Sequence, residues 1–188
     1  MGFSNVDLSI LELYDSNLVN VFSMNEISKR LGKPYPYINK KVNAMISSGV
    51  LKRISIGRSH LCSINFDNST ALLMLSLMEA RKPYSAKSTE ASEQLEAFLR
   101  KRASALTICC ALYSSEHLIF VVWDLHHRLE IQKHYPQSII LSLEEFINYL
   151  TETESIFKNH KVVYGYESFF QLVREALPTL QAKHSPFR

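Results

Sequence analysis

Glycine and proline are scarce in this chain, five and six in 188 residues, so it holds neither a collagen-like repeat nor a Gly/Pro-rich linker tract. Cysteine is scarcer still: Cys62 stands alone and Cys109 and Cys110 are adjacent. Three thiols so placed make no disulfide framework, and no CxxC spacing offers a metal site. A reducing cytoplasm is therefore the expected setting, and no metal or other cofactor is implied. The apolar runs all fall short of the roughly 20 residues that a membrane-spanning helix needs. The opening MGFSNVDLSILELY lacks the basic start and continuous apolar stretch of a secretory signal, and Val6 stands where a myristoylation motif needs Ser or Thr. No membrane association is expected.

Hydrophobic residues make up 46% of the chain and charged ones 21%, which excludes a disordered tail protein. The length suits one domain or two small ones. Net charge is only +3, but it is unevenly spread. Residues 26–66 hold eight cations (Lys29, Arg30, Lys33, Lys40, Lys41, Lys52, Arg53 and Arg58) against the single acid Glu26, a net +7, whereas residues 83–188 carry a net −1. A short cationic segment beside a near-neutral remainder suggests a module that binds a polyanion.

Helical spacing of Leu8, Leu11 and Tyr14 predicts a first helix over 6–16. Ser23 and Glu26 form a capping box for a second, two-turn helix with Ile27 and Leu31 inward and Gly32 as its left-handed cap. Pro36 suits the first position of a third helix that ends at Gly49. There Ile38, Val42, Met45 and Ile46 make one buried stripe, and Lys40, Asn43, Ala44 and Ser47 lie opposite, flanked by Tyr37 and Asn39. Strands over 50–56 and 60–66 follow, joined by a Gly57-Arg58 turn. The helix expected over 67–82 is apolar nearly all round, which calls for burial against a second domain or another copy of the chain.

Residues 81–88 are the best domain boundary. Beyond them the pattern predicts a helix over 89–102 and strands over 105–113 and 118–123 about a turn at 114–117. A third strand over 138–141 leads into a helix capped by Ser142 and Glu145. A short extended segment over 161–164 and a last helix over 166–177, ended by Pro178, complete the chain. The expected organisation is α+β: residues 1–67, a connecting helix and linker over 68–88, and a second α/β domain over 89–188.

Residues 6–66 resemble the winged helix-turn-helix family, with MNEISKRLGKPYPYINKKVNAMISSGVLKRISIGRSHLCSI following its order of positioning helix, turn, recognition helix, basic strand and wing. The resemblance implies binding to double-stranded DNA. Tyr35, Tyr37, Asn39, Lys40 and Asn43 would face base edges or nearby phosphates, asparagine being the natural bidentate reader of adenine. Lys41, Lys52, Arg53 and Arg58 would hold the phosphate backbone. The competing reading is a winged helix used for protein contact, with its lysines merely solvated. Tyr35 and Tyr37 are also candidates for the small core.

The stretch from Ile139, IILSLEEFINYLTETESIFKNHKVVYGYESFFQLVREAL, resembles the end of small nucleotidyltransferase-fold domains, which are often found beside a helix-turn-helix. That family carries a Gly-Ser turn and then an Asp-x-Asp pair that binds the catalytic metal. Here only YSSEH lies between Leu112 and Leu118; the aspartate positions fall near Ser115 and His117, with Glu116 between them and Asp124 at the far end of the strand. The resemblance thus implies a kept fold with lost catalysis, and no catalytic residue is assigned. His126, His127 and His134 match no zinc spacing and read as surface histidines. Cys109 and Cys110 read as small apolar residues of a strand, Ser114 and Ser115 as a turn, and Tyr113, Phe120 and Trp123 as core.

The function expected from these readings is a sequence-specific transcriptional regulator. Its partners would be double-stranded DNA, a second copy through residues 67–82, and a protein partner on the second domain. The alternatives are an active nucleotidyltransferase targeted by its winged helix, and an interaction adaptor.

Overall fold

A computed structural model of the chain describes residues 4–56, 59–82, 89–114, 117–157 and 160–184. The chain is α+β, with two small sheets. It divides into two units, residues 1–78 with 180–188 and residues 79–179, so the border falls inside a helix just before the tract expected as a linker. Residues 83–88 of that tract lie outside the described residues.

In the first unit the elements run α1 (Asn5–Glu12), β1 (Phe22–Ser23), α2 (Met24–Leu31), α3 (Tyr35–Ser47), β2 (Leu51–Ile56) and β3 (Ser59–Ile64), followed by α4 (Ser69–Ala80), which ends across the border. The capping box of α2 forms as its sequence requires: the amide of Glu26 donates to Ser23 Oγ at 3.2 Å and the Ser23 amide donates to the Glu26 carboxylate at 2.7 Å. Gly32 ends α2 at φ +60, a conformation that costs other residues strain. Helix α3 starts one residue before Pro36, with Pro34 at its cap. Ile38, Val42 and Met45 are buried, and each contributes about 1.5–3 kcal/mol of apolar burial. Strand β3 is central in an antiparallel sheet of order β1-β3-β2. Tyr14, Phe22 and Cys62 close the core over it, the two aromatic rings meeting edge to face at 4.9 Å.

The second unit holds α5 (Thr89–Arg102), β4 (Ile108–Ser114), β5 (His117–Val122), α6 (Arg128–His134), β6 (Ile139–Ser142), α7 (Leu143–Glu152), β7 (His160–Tyr164) and α8 (Tyr166–His184), whose last residues belong to the first unit. The sheet order is β6-β5-β4-β7, antiparallel except for the parallel β5–β6 pair. Ala111, Phe120 and Val122 pack with Leu95 and Leu99 of α5 and Ile131 of α6. The alternate residues Leu112, Ile119, Val121 and Val162 are buried as well, so both faces of the sheet are covered. Phe146 of α7 and Phe169 of α8 meet at 6.2 Å. Gly165, at φ +67, lets β7 turn into α8 where an added Cβ would lie 2.2 Å from the Cys109 carbonyl oxygen.

Three expectations are corrected by the structure. The first helix stops at Glu12, and residues 13–16 are turns. Pro178 does not end the last helix: α8 continues to His184, with Pro178 exposed and the buried stripe of Val173, Ala176, Leu177 and Leu180 running past it. Trp123 is 64% exposed instead of core, because β5 ends at Val122 and the chain turns outward into Asp124. The expected cover of α4 is not overturned: Leu72, Met74, Leu75 and Met78 are buried in the single chain, and Leu73 and Leu77 stand exposed.

Candidate nucleic-acid interface

The outward side of α3 follows from the burial of its inner stripe. With Ile38, Val42 and Met45 turned into the core, Tyr35, Tyr37 and Lys40 are exposed, Tyr35 by 47% and Tyr37 by 42%, so neither tyrosine is a core residue. Asn39 and Asn43 are half-buried on the same side. Lys52 and Arg53 leave from β2, Lys52 half-exposed and Arg53 exposed. Arg58, on the expected wing turn, lies outside the described residues.

Four of these side chains form a single hydrogen-bonded row. Arg53 Nη2 donates to Asn43 Oδ1 at 2.8 Å, Asn43 Nδ2 donates to Asn39 Oδ1 at 2.8 Å, and Asn39 Nδ2 donates to the Tyr35 hydroxyl at 3.3 Å and to Met24 Sδ at 3.3 Å. The row lines a cavity of about 330 Å³ together with Ser23, Met24, Asn25 and His60. These last four residues escaped the sequence reading. The capping box marks where Ser23 and Met24 sit, but nothing in the sequence says that the start of α2 opens beside Asn39. His60 arrives through strand register: it pairs with Ser55, whose hydroxyl lies 3.2 Å from its Nδ1.

Lys41 sits apart from this row. Its Nζ lies 2.9 Å from Ser4 Oγ and 3.4 Å from the Asp7 carboxylate, so it ties α3 to the start of α1. Glu26, the one acid of the cationic segment, is held as a carboxylate: the Ser23 amide and hydroxyl, then the charges of Arg30 and Lys29, push its pKa down. Arg30 in turn lies 4.7 Å over the Phe22 ring. Lys29, Lys33 and Lys40 are exposed.

In the second unit, Asp124 is exposed and its carboxylate contacts the amide and ring of His126. Its pKa is lowered by the His126 amide first and then by the His126 ring. His127 lies 3.8 Å from Glu130, and His134 packs at 5.2 Å on Phe98. Cys109 and Cys110 are buried. Ser115 and Glu116 lie outside the described residues. A buried polar cluster that the sequence did not announce joins the end of α4 to β7. Glu79 accepts from the Val162 amide at 2.8 Å and pairs with Lys82 at 2.5 Å and His160 at 3.3 Å. Lys161 Nζ donates to the backbone carbonyls of Glu79 and Lys82 at 2.8 and 2.6 Å, satisfying groups that a helix end leaves open.

Comparison of the chain with protein-family models, curated proteins and solved structures gives no match. Among the described residues, no helix is long and apolar enough to cross a membrane.

Proposed function

We propose that the chain is a sequence-specific regulator that binds double-stranded DNA through a winged helix-turn-helix in its first unit. The observation that carries this reading is the outward side of α3: exposed Tyr35, Tyr37 and Lys40 stand on a helix whose opposite stripe is buried, inside a segment of net charge +7. Such a helix can enter the major groove while its core holds it in place. The order α1-β1-α2-α3-β2-β3, with β2 and β3 as an antiparallel hairpin, supports the same reading. Lys40 and Lys52 supply phosphate contacts, and Arg58 does so from the wing.

The second unit serves, in this proposal, as a nucleotidyltransferase-like domain without catalysis that recruits or senses. Only two residues link β4 to β5, which leaves little room for the Gly-Ser turn of that family. Exposed Trp123, Leu125 and Leu129 offer a surface for a protein partner. The exposed pair Leu73 and Leu77 on α4 offers one for a second copy of the chain, which would place two recognition helices on a paired half-site. Selection of bound duplexes from a random-sequence pool, followed by sequencing, tests the proposal. Enrichment of one motif supports it, and recovery of an unenriched pool or of no DNA rejects it.

A further inference from the structure

We infer that Arg53, from strand β2, reads a guanine in the major groove, and that Asn43 and Asn39 position it instead of reading bases themselves. The inference rests on the DNA-binding reading above.

It begins with which groups can donate. A guanidinium has only donors, so the contact of Arg53 Nη2 with Asn43 at 2.8 Å must fall on the amide oxygen. That choice fixes the rest of the row. With its oxygen toward Arg53, Asn43 turns its Nδ2 to Asn39, which must answer with Oδ1. Asn39 is then left with its Nδ2 facing the Tyr35 hydroxyl and Met24 Sδ. One cation on a strand therefore sets the orientation of two amides on a helix.

The consequence concerns who is free to meet a base. Bidentate recognition of adenine needs an amide N–H and an amide oxygen from the same side chain. Asn39 has both N–H groups directed at Tyr35 and Met24 and its oxygen at Asn43. The Asn43 oxygen already holds Arg53. Arg53, by contrast, uses one N–H of five in this row, and the rest keep the planar fork that matches the O6 and N7 acceptors of guanine. Its position favours bases over phosphates: Asn43 lies in the middle of α3 on the outward side, and a guanidinium bonded there travels with the helix into the groove. Among the described residues, Lys40 and Lys52 carry no such tether, and they suit the phosphate rim.

The test is duplex selection with the full chain and three variants. Arg53→Lys keeps the charge and removes the fork. The wild type is expected to select a motif with a fixed guanine. Arg53→Lys should then lose discrimination at that one position by about 5- to 150-fold, with the salt dependence of binding unchanged. Asn43→Ala should relax the same position, and Asn43→Asp, which still accepts from Arg53, should retain the guanine while weakening overall affinity. A wild-type motif without a fixed guanine, or the same guanine preference in Arg53→Lys, overturns the inference and leaves the DNA-binding reading intact. If the wild type selects no motif, both fall together.

Discussion

The phenol of Tyr14 donates to the backbone carbonyl of Cys62 at 2.9 Å, across 48 residues of sequence. It fastens the turn after α1 to the central strand of the first sheet, and burial pushes the phenol's pKa up so that it stays a donor at any physiological pH. Tyr14→Phe removes this bond while keeping the ring against Phe22, and should lower stability by about 1 kcal/mol. Denaturant unfolding followed by far-UV circular dichroism checks it; an unchanged midpoint would mean that the bond contributes nothing net.

Lys40 and Lys41 are neighbours with different expected roles. Lys40→Ala should weaken DNA binding and reduce the slope of log affinity against log salt by about 1, the loss of one phosphate contact. Lys41 is held by Ser4 and Asp7, so Lys41→Ala should leave that slope in place and instead cost about 0.5–1 kcal/mol of stability. Salt-dependent affinities and melts of the two variants separate the roles, and identical slopes for both would remove the distinction.

For Glu79, burial raises the carboxyl's pKa, but the hydrogen bond and charge of His160 with the charge of Lys82 outweigh it, and the net direction is below the ordinary 4.5. A carboxyl lowered in the folded state binds fewer protons there than in the unfolded chain. Its stabilisation is therefore present above the unfolded value, at neutral pH, and is lost as pH falls through the folded value. Glu79→Gln should be less stable than wild type near neutrality, and the gap should close in acid below that ordinary value. Unfolding curves at several pH values decide this, and a gap independent of pH would contradict it.

Two glycines should respond differently to alanine. At Gly32 a Cβ meets nothing within 4 Å, so Gly32→Ala bears only the strain of φ +60, about 1 kcal/mol. At Gly165 the Cβ would press on the Cys109 carbonyl at 2.2 Å, and the strand or the start of α8 must shift. Gly165→Ala should cost clearly more, at least 2–3 kcal/mol by about the scale of backbone strain plus overpacking. Comparing the two melts checks the order, and equal losses would show that β4 and α8 yield easily.

Much of the fold was legible because it is written locally. Ser23 with Glu26 and Ser142 with Glu145 announce helix starts, and both boxes form. Ile38, Val42 and Met45 declare the inner stripe of α3 by spacing alone. The two-residue β1 is too short to carry a period, and only its pairing of Phe22 with Cys62 makes it a strand. Pro178 and Trp123 misled for related reasons: a local breaker gave way to a buried stripe that continues past it, and a large apolar ring fell just beyond the end of its strand. In the candidate site, the exposure of Lys40 was readable from the stripe opposite it, whereas that of Tyr35 and Tyr37, which also suited the small core, was not. The tether from Arg53 to Asn43 was not, since it joins a strand to a helix through side chains with no periodic relation. Nor was the pairing of Lys41 with Asp7, which joins α3 to α1 across 34 residues.

The central claim is tested most directly by fluorescence anisotropy of the full-length chain on mixed-sequence duplex DNA at a low and a higher salt concentration. The account predicts binding that weakens steeply as salt rises, through release of counterions from the phosphates met by the cationic segment. Absence of binding at low salt, or an affinity that salt leaves unchanged, would contradict it.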